Sequence, residues 1–92
     1  SFVRREKQFL AAELAKLPGI EVFAPSVNFI LFYLQQGKEF LRHLIMALRE
    51  RGILLRDCSN YLGLDGAYLR AAVRSRADNE RLLEAMHEVW KE

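Results

Sequence analysis

The chain has 92 residues, of which 51% are hydrophobic, so it is long enough for one small domain with an apolar core. Fourteen basic and twelve acidic residues give a net charge of +2, which is too small and too dispersed for a nucleic-acid-binding surface. The longest apolar run, residues 29–34, is far shorter than the roughly 20 residues of a membrane-spanning helix. The one cysteine, Cys58, excludes an intramolecular disulfide and fits a reducing compartment such as the cytoplasm.

The first half of the sequence predicts one helix and two strands. Apolar residues recur at helical spacing from Phe2 to Leu17, and Pro18-Gly19 ends that helix. Ile20–Phe23 follows as a short strand, and residues 27–34 predict the strongest strand because Phe, Ile and Tyr dominate it. Every position from Phe29 to Leu34 is apolar, so both faces of this strand need cover. We therefore expect helices on one face and, on the other, a missing part of the protein or a second copy.

The second half predicts two further helices and two further strands. A helix from about Lys38 to Arg51 carries an apolar stripe, and Gly52 is its left-handed C-terminal stop. Residues 53–56 and 68–74 predict the third and fourth strands. Ser75 then opens a pattern that resembles a capping box before the last helix. This order of elements predicts an α+β domain, in which three helices cover a small, mostly antiparallel sheet of about four strands.

The third and fourth predicted strands each carry one arginine, Arg56 and Arg70. An arginine at a strand edge is costly to desolvate unless an anion meets it. Arg70 shares one face of its strand with Tyr68 and Ala72, and its guanidinium can make a planar two-pronged contact with a carboxylate. The pair therefore indicates a carboxylate or phosphate held between the strand ends. The alternative is an exposed arginine whose stem lies over apolar neighbours.

Other kinds of site have weaker support in the sequence. His43 and His87 fall on helices, with no Ser or Cys in a turn beside them, so surface positions suit them better than catalytic ones. One Cys and two separated His residues do not make a cluster of metal ligands. Cys58 fits an ordinary reduced cysteine better than a reactive thiol, and no phosphate-cradling glycine motif is present. We therefore expect no catalytic residue and no metal site in this chain.

Six segments carry a family resemblance, and together they extend over nearly the whole chain. They are residues 17–20 (LPGI), 25–31 (PSVNFIL), 55–61 (LRDCSNY), 63–65 (GLD), 68–74 (YLRAAVR) and 79–85 (NERLLEA). In these segments the chain resembles the C-terminal small domain of pyridoxal-phosphate enzymes of aminotransferase fold type I. Within that family it looks closest to the threonine-phosphate decarboxylases of cobalamin biosynthesis, and the histidinol-phosphate aminotransferases are near relatives.

The resemblance implies roles for four residues. Arg70 would bind the α-carboxylate of an amino-acid substrate, and Arg56 would help to hold that carboxylate or orient the loop. Asn28 and Tyr61 would support the site, the first at the start of the long strand and the second in the loop that approaches the substrate.

The resemblance also implies that pyridoxal phosphate is a cofactor of a larger parent protein. The Schiff-base lysine and most phosphate-binding groups of the family lie in a large domain, to which no segment here corresponds. Residues 1–92 would then be a single C-terminal small domain that neither holds the cofactor nor turns over alone. The absence of an initiator Met at Ser1 agrees with a piece of a longer protein.

The parent enzyme implied by the resemblance is a cytoplasmic homodimer, with no nucleic-acid or membrane partner. It would be a lyase (a decarboxylase) or an aminotransferase that acts on a phosphorylated amino acid or amino alcohol. Outside that family, a non-catalytic small-molecule-binding or dimerisation module of similar build remains the alternative.

Overall fold

The computed structural model describes residues 2–23, 26, 28–60, 63 and 65–92. Their secondary structure runs in the order α1 (Phe2–Leu14), β1 (Ile20–Phe23), β2 (Phe29–Leu34), α2 (Lys38–Glu50), β3 (Arg56–Asp57), β4 (Tyr68–Ala72) and α3 (Arg76–Trp90). The strands form one antiparallel sheet with the order β1-β2-β4-β3. The predicted α+β architecture of three helices and a four-stranded sheet is therefore confirmed.

The three helices cover one face of the sheet. Strand residues that point to this face are almost completely buried: Ile30, Phe32 and Leu34 of β2, and Leu69 and Ala71 of β4. They form the core with the apolar stripes of the helices, which include Leu10 and Leu14 of α1, Leu41, Leu44 and Leu48 of α2, and Leu82, Leu83, Met86 and Val89 of α3. Burial of this apolar surface is the main stabilising contribution to the fold.

The other side of the sheet, which we call the open face, carries the alternate residues of the same strands. These are Phe29, Leu31 and Tyr33 of β2, with Tyr68 and Arg70 of β4, and each of them is half-buried. The β2 strand thus alternates between buried and half-buried positions although its sequence is apolar throughout. Cover for the open face by another part of the protein or a second copy stays a prediction.

Two predicted helix ends are confirmed, and a third helix is shorter than predicted. Gly52 has a φ of 76° and follows α2, whose end is closed by hydrogen bonds from Gly52 N–H to the Arg49 carbonyl and from the next residue to Leu48. The Ser75 hydroxyl caps α3 by accepting a hydrogen bond from the Asp78 N–H at 3.2 Å. The first helix ends at Leu14 rather than Leu17, because the chain tightens there into shorter-range hydrogen bonds.

The third and fourth strands are also shorter than predicted. Only Arg56–Asp57 pairs with β4, whereas the sequence predicted a strand over residues 53–56. The Ile53 N–H is bound to the Leu48 carbonyl at the end of α2, so this residue closes the helix instead of extending the sheet. The fourth strand ends at Ala72 rather than at residue 74. The hydrogen bond that closes α2 therefore keeps Ile53 out of β3 and limits the length of that strand.

A polar cluster of Glu6, Asn79 and Arg76 lies at the C-terminal end of β4. The side chain of Asn79, only 1% exposed, accepts a hydrogen bond from the Arg74 N–H at 3.2 Å and donates to the Arg74 carbonyl at 3.0 Å. Its amide also donates to Oε1 of Glu6 at 3.2 Å, and the same oxygen accepts from Nε of Arg76 at 2.9 Å. The cluster fixes the turn between β4 and α3 and joins it to α1.

Acid should weaken this cluster. The hydrogen bond from Arg76 lowers the pKa of the Glu6 carboxyl below its ordinary value of 4.5, outweighing the burial that raises it, and Asn79 acts in the same direction as Arg76. The carboxylate of Glu6 therefore adds stability above the pKa of the unfolded chain, and this contribution is lost as the pH falls through the lower folded-state pKa. We expect Glu6→Gln to be less stable than the wild type at pH 7, with a difference that shrinks on acidification.

Urea denaturation at a series of pH values measures this difference. Glu13→Gln is the matched control at pH 7, because Glu13 lies on the same helix and its ion pair among the described residues is with Lys16, whose side chain is 67% exposed. Its loss should cost less than about 1 kcal/mol. A stability gap between Glu6→Gln and the wild type that is the same at every pH would contradict the prediction.

Candidate functional site

The two arginines singled out in the sequence lie directly opposite each other. Arg56 of β3 is the register partner of Arg70 of β4, and neither forms an ion pair with a carboxylate of the described residues. Like charges at directly opposed positions of a sheet repel each other and destabilise the pairing. An anion placed between the two guanidinium groups would remove that repulsion and gain charge-assisted hydrogen bonds.

A shallow depression of about 300 Å³ lies beside this pair. It is lined by Asn28, Phe29, Leu54, Arg56, Arg70 and Ala72. The structure therefore brings together three of the four residues predicted for the site, Asn28, Arg56 and Arg70. Tyr61, the fourth, lies outside the described residues.

Arg70 is held by an aromatic ring rather than by a carboxylate. Its guanidinium carbon lies 4.7 Å from the centroid of the Phe29 ring, which is close enough for a cation–π contact. A guanidinium that lies over a ring keeps the N–H groups around its edge available for an anion. Arg70 is half-buried whereas Arg56 is exposed, so Arg70 is the more firmly positioned of the two.

Two backbone hydrogen bonds fix the position of Asn28 just before β2. Its carbonyl accepts a hydrogen bond from the Val73 N–H at 2.9 Å, which continues the pairing of the two central strands by one residue. Its own N–H donates to the Ser26 hydroxyl at 3.1 Å. The side chain of Asn28 is exposed at the rim of the depression.

Besides Ala72, which the sequence places on the same face as Arg70, the depression contains two residues that were not singled out in the sequence, Phe29 beneath Arg70 and Leu54 at the rim. Both lie two or fewer positions from a candidate residue: Phe29 follows Asn28, and Leu54 precedes Arg56 by two. Residues two apart in a strand share a face, so strand periodicity was the signal that could have found Leu54.

The remaining candidates form no second site. Nε2 of the exposed His43 lies 2.9 Å from a carboxylate oxygen of Glu92, and Cys58 is buried and not disulfide-bonded. Within the part of the chain that the structure describes, no group of three or more His, Cys, Asp or Glu residues could hold a metal ion. None of the described helices is long and apolar enough to cross a membrane.

Sequence comparison relates the chain to two kinds of enzyme. It is 38% identical over 89 residues to a histidinol-phosphate aminotransferase of Thermoanaerobacter pseudethanolicus, a match that covers 97% of this chain and 24% of that protein. It is 36% identical over 88 residues to the threonine-phosphate decarboxylase of Salmonella typhimurium, covering 96% of this chain and 23% of the relative. No protein-family model matches the chain. The chain thus spans roughly a quarter of the length of these relatives.

Solved structures agree with the sequence comparison. The histidinol-phosphate aminotransferase of Clostridium acetobutylicum superimposes with a TM-score of 0.86 at 30% identity, over 98% of this chain and 27% of that one. The L-threonine-O-3-phosphate decarboxylase of Porphyromonas gingivalis gives a TM-score of 0.84 at 29% identity, over 97% of this chain and 27% of that one. The family resemblance inferred from the sequence is confirmed: the chain is similar over nearly its whole length to one part of histidinol-phosphate aminotransferases and threonine-phosphate decarboxylases.

Proposed function

We propose that these 92 residues are the C-terminal, substrate-carboxylate-binding domain of a pyridoxal-phosphate-dependent enzyme that acts on a phosphorylated amino acid or amino alcohol. The reaction we favour is that of threonine-phosphate decarboxylase in cobalamin biosynthesis. The observation that carries the proposal is the opposed pair Arg56 and Arg70, which line one depression and have no carboxylate partner among the described residues. Homology to decarboxylases and aminotransferases supports it.

In this proposal Arg70 grips the α-carboxylate of the substrate and Arg56 supports it from the neighbouring strand. A rigid strand is a suitable base for this contact, because the guanidinium fork then fixes the orientation of the substrate rather than only attracting it. In a decarboxylase the carboxylate leaves. The contact with Arg70 therefore has to orient the bound substrate without stabilising it more than the transition state.

The residues described here do not by themselves fit pyridoxal phosphate. The cofactor supplies an electron sink and, in this family, is attached to a lysine, but none of the described residues that line the depression is a lysine. Lys7 belongs to α1 and Lys38 begins α2, whereas Lys16 and Lys91 follow the ends of α1 and α3. We propose that the cofactor is held by a large domain of the same parent chain, which would also cover the open face, in a cytoplasmic homodimer.

A histidinol-phosphate aminotransferase is the second candidate. Relatives with that name match at similar identity to the decarboxylases, so overall similarity does not separate the two reactions. What favours the decarboxylase is the sequence after Arg70, which reads Ala-Ala-Val-Arg, where many of the aminotransferases carry Thr-Val-Gly.

Turnover by the full-length parent enzyme tests the proposal. The purified enzyme, loaded with pyridoxal phosphate, is incubated with threonine phosphate and, separately, with histidinol phosphate and 2-oxoglutarate. Release of carbon dioxide from threonine phosphate is the expected result. Transfer of the amino group from histidinol phosphate to 2-oxoglutarate, which forms glutamate, would establish the second candidate instead. A parent chain with no Schiff-base lysine and no reaction with either substrate would overturn the enzyme assignment and favour a binding or dimerisation module.

A further inference from the structure

Leu54 is the most exposed of the large apolar side chains among the described residues, at 77%. It lies in the segment between α2 and β3 and forms part of the depression that contains both arginines. Isolated exposed apolar residues are common on protein surfaces. This one differs because it stands beside two guanidinium groups that have no carboxylate partner among the described residues, where a ligand would cover it.

The backbone around Leu54 explains why this side chain is left at the rim. Extending the register of Arg56 and Arg70 by two residues would place Leu54 opposite Ala72, on the same face as the two arginines. That pair does not form, since no backbone hydrogen bond joins Leu54 to Ala72. Leu54 therefore lies on the arginine side of the sheet, but its backbone is not hydrogen-bonded to β4. Its side chain can shift to contact a ligand.

The apolar surface that this depression offers to a ligand is small and lies next to the two arginines. The face of the Phe29 ring is already occupied by the Arg70 guanidinium, which leaves Leu54 and the methyl group of Ala72 beside the cationic edge. A bare anion that binds the arginines would leave Leu54 in water. An acid that carries a short hydrocarbon chain would bind the arginines and also bury part of Leu54.

We infer that Leu54 is the apolar wall of this site and determines its specificity, favouring acids with a short aliphatic chain over bare anions. The inference rests on the proposed anion site at Arg56 and Arg70, and it deepens that proposal by defining the class of ligand. The substrate would then be recognised by its acid group and by the carbon atoms next to it, before any contact with its more distant groups.

Binding of formate, acetate, propionate and butyrate to the 92-residue chain tests the inference. Affinities are measured by nuclear magnetic resonance titration at constant pH and ionic strength, since salt screens the arginines. We expect each added CH₂ group to raise the affinity of the wild type about two- to threefold, because a partly buried group gains part of the full transfer free energy. Leu54→Ala should flatten this dependence and leave formate binding unchanged.

Met46→Ala is the matched control. Met46 is another exposed apolar residue, 55% exposed on α2, and is not among the residues that line the depression. It should leave the dependence on chain length as in the wild type. Because Leu54 and Met46 are both exposed, neither variant should unfold the chain, and thermal melts of both verify this.

Two results would overturn the inference. The first leaves the proposed anion site intact, and the second overturns that site as well. If all four acids bind the wild type but Leu54→Ala keeps the wild-type dependence on chain length, the role of Leu54 is wrong and the anion site stands. If no acid binds, or if Arg70→Lys and Arg56→Lys bind all four acids as the wild type does, the anion site itself is wrong and the role of Leu54 falls with it.

Discussion

Replacing Arg70 by lysine in the full-length parent enzyme should lower kcat/KM by about 10- to 100-fold. Lysine keeps the positive charge but cannot form the planar two-pronged contact with a carboxylate. A hydrogen bond to a charged group contributes about 1.5–3 kcal/mol, and each 1.36 kcal/mol is a factor of ten in rate. The loss should appear in kcat as well as in KM, because the proposed role is to orient the substrate and not only to bind it.

Steady-state kinetics with threonine phosphate measure this effect, and Arg74→Lys is its control. Arg74 follows the same strand and is exposed, but it is not among the residues that line the depression. Its replacement should change kcat/KM by less than about threefold, the usual range for a surface substitution. Unchanged turnover and unchanged KM in Arg70→Lys would remove Arg70 from the substrate site.

Arg56→Lys should have a smaller effect than Arg70→Lys. Arg56 is exposed on a strand of two residues at the edge of the sheet, whereas Arg70 lies on a central strand over the Phe29 ring. A side chain that is less firmly positioned loses more conformational entropy on binding and contributes less orientation. The ranking of the two variants therefore tests whether the rigidity of β4 matters to the site.

The features that were predictable from the sequence are those set by local pattern. Helical periodicity and turn residues placed the elements in order, and the alternation along β4 placed Arg70 on the same face as Tyr68 and Ala72. The direct pairing of Arg56 with Arg70 was not among these predictions, because the order of the strands does not by itself set which residues lie opposite each other. None of these inferences needed knowledge of contacts between distant residues.

The features that were not predictable depend on such contacts. Glu6 is buried at 5% exposure although it is a charged residue on a short amphipathic helix, because its partner Arg76 lies 70 residues away in sequence. The short β3 strand has a similar origin, since the Ile53 N–H closes α2. A pattern of apolar and polar residues carries no information about which distant polar groups will pair.

Removing the amide of Asn79 should cost the fold more than any surface change. The side chain satisfies both backbone groups of Arg74 and donates to Glu6, and it is almost completely buried. Buried groups left without partners cost about 1–3 kcal/mol each, so we expect Asn79→Ala to lower the free energy of unfolding by about 2–4 kcal/mol. For a domain of this size that corresponds to a fall in Tm of roughly 10–20 °C.

Ser75→Ala separates this effect from ordinary weakening of the helix start. Ser75 caps the same helix through one hydrogen bond to the Asp78 N–H, and its loss should cost about 1 kcal/mol. Asn79→Asp keeps an acceptor for the Arg74 N–H but replaces the amide donor with a carboxylate beside Glu6, so at neutral pH it should be at least as unstable as Asn79→Ala. If urea denaturation instead finds Asn79→Ala no less stable than Ser75→Ala, the cluster does not hold the end of β4.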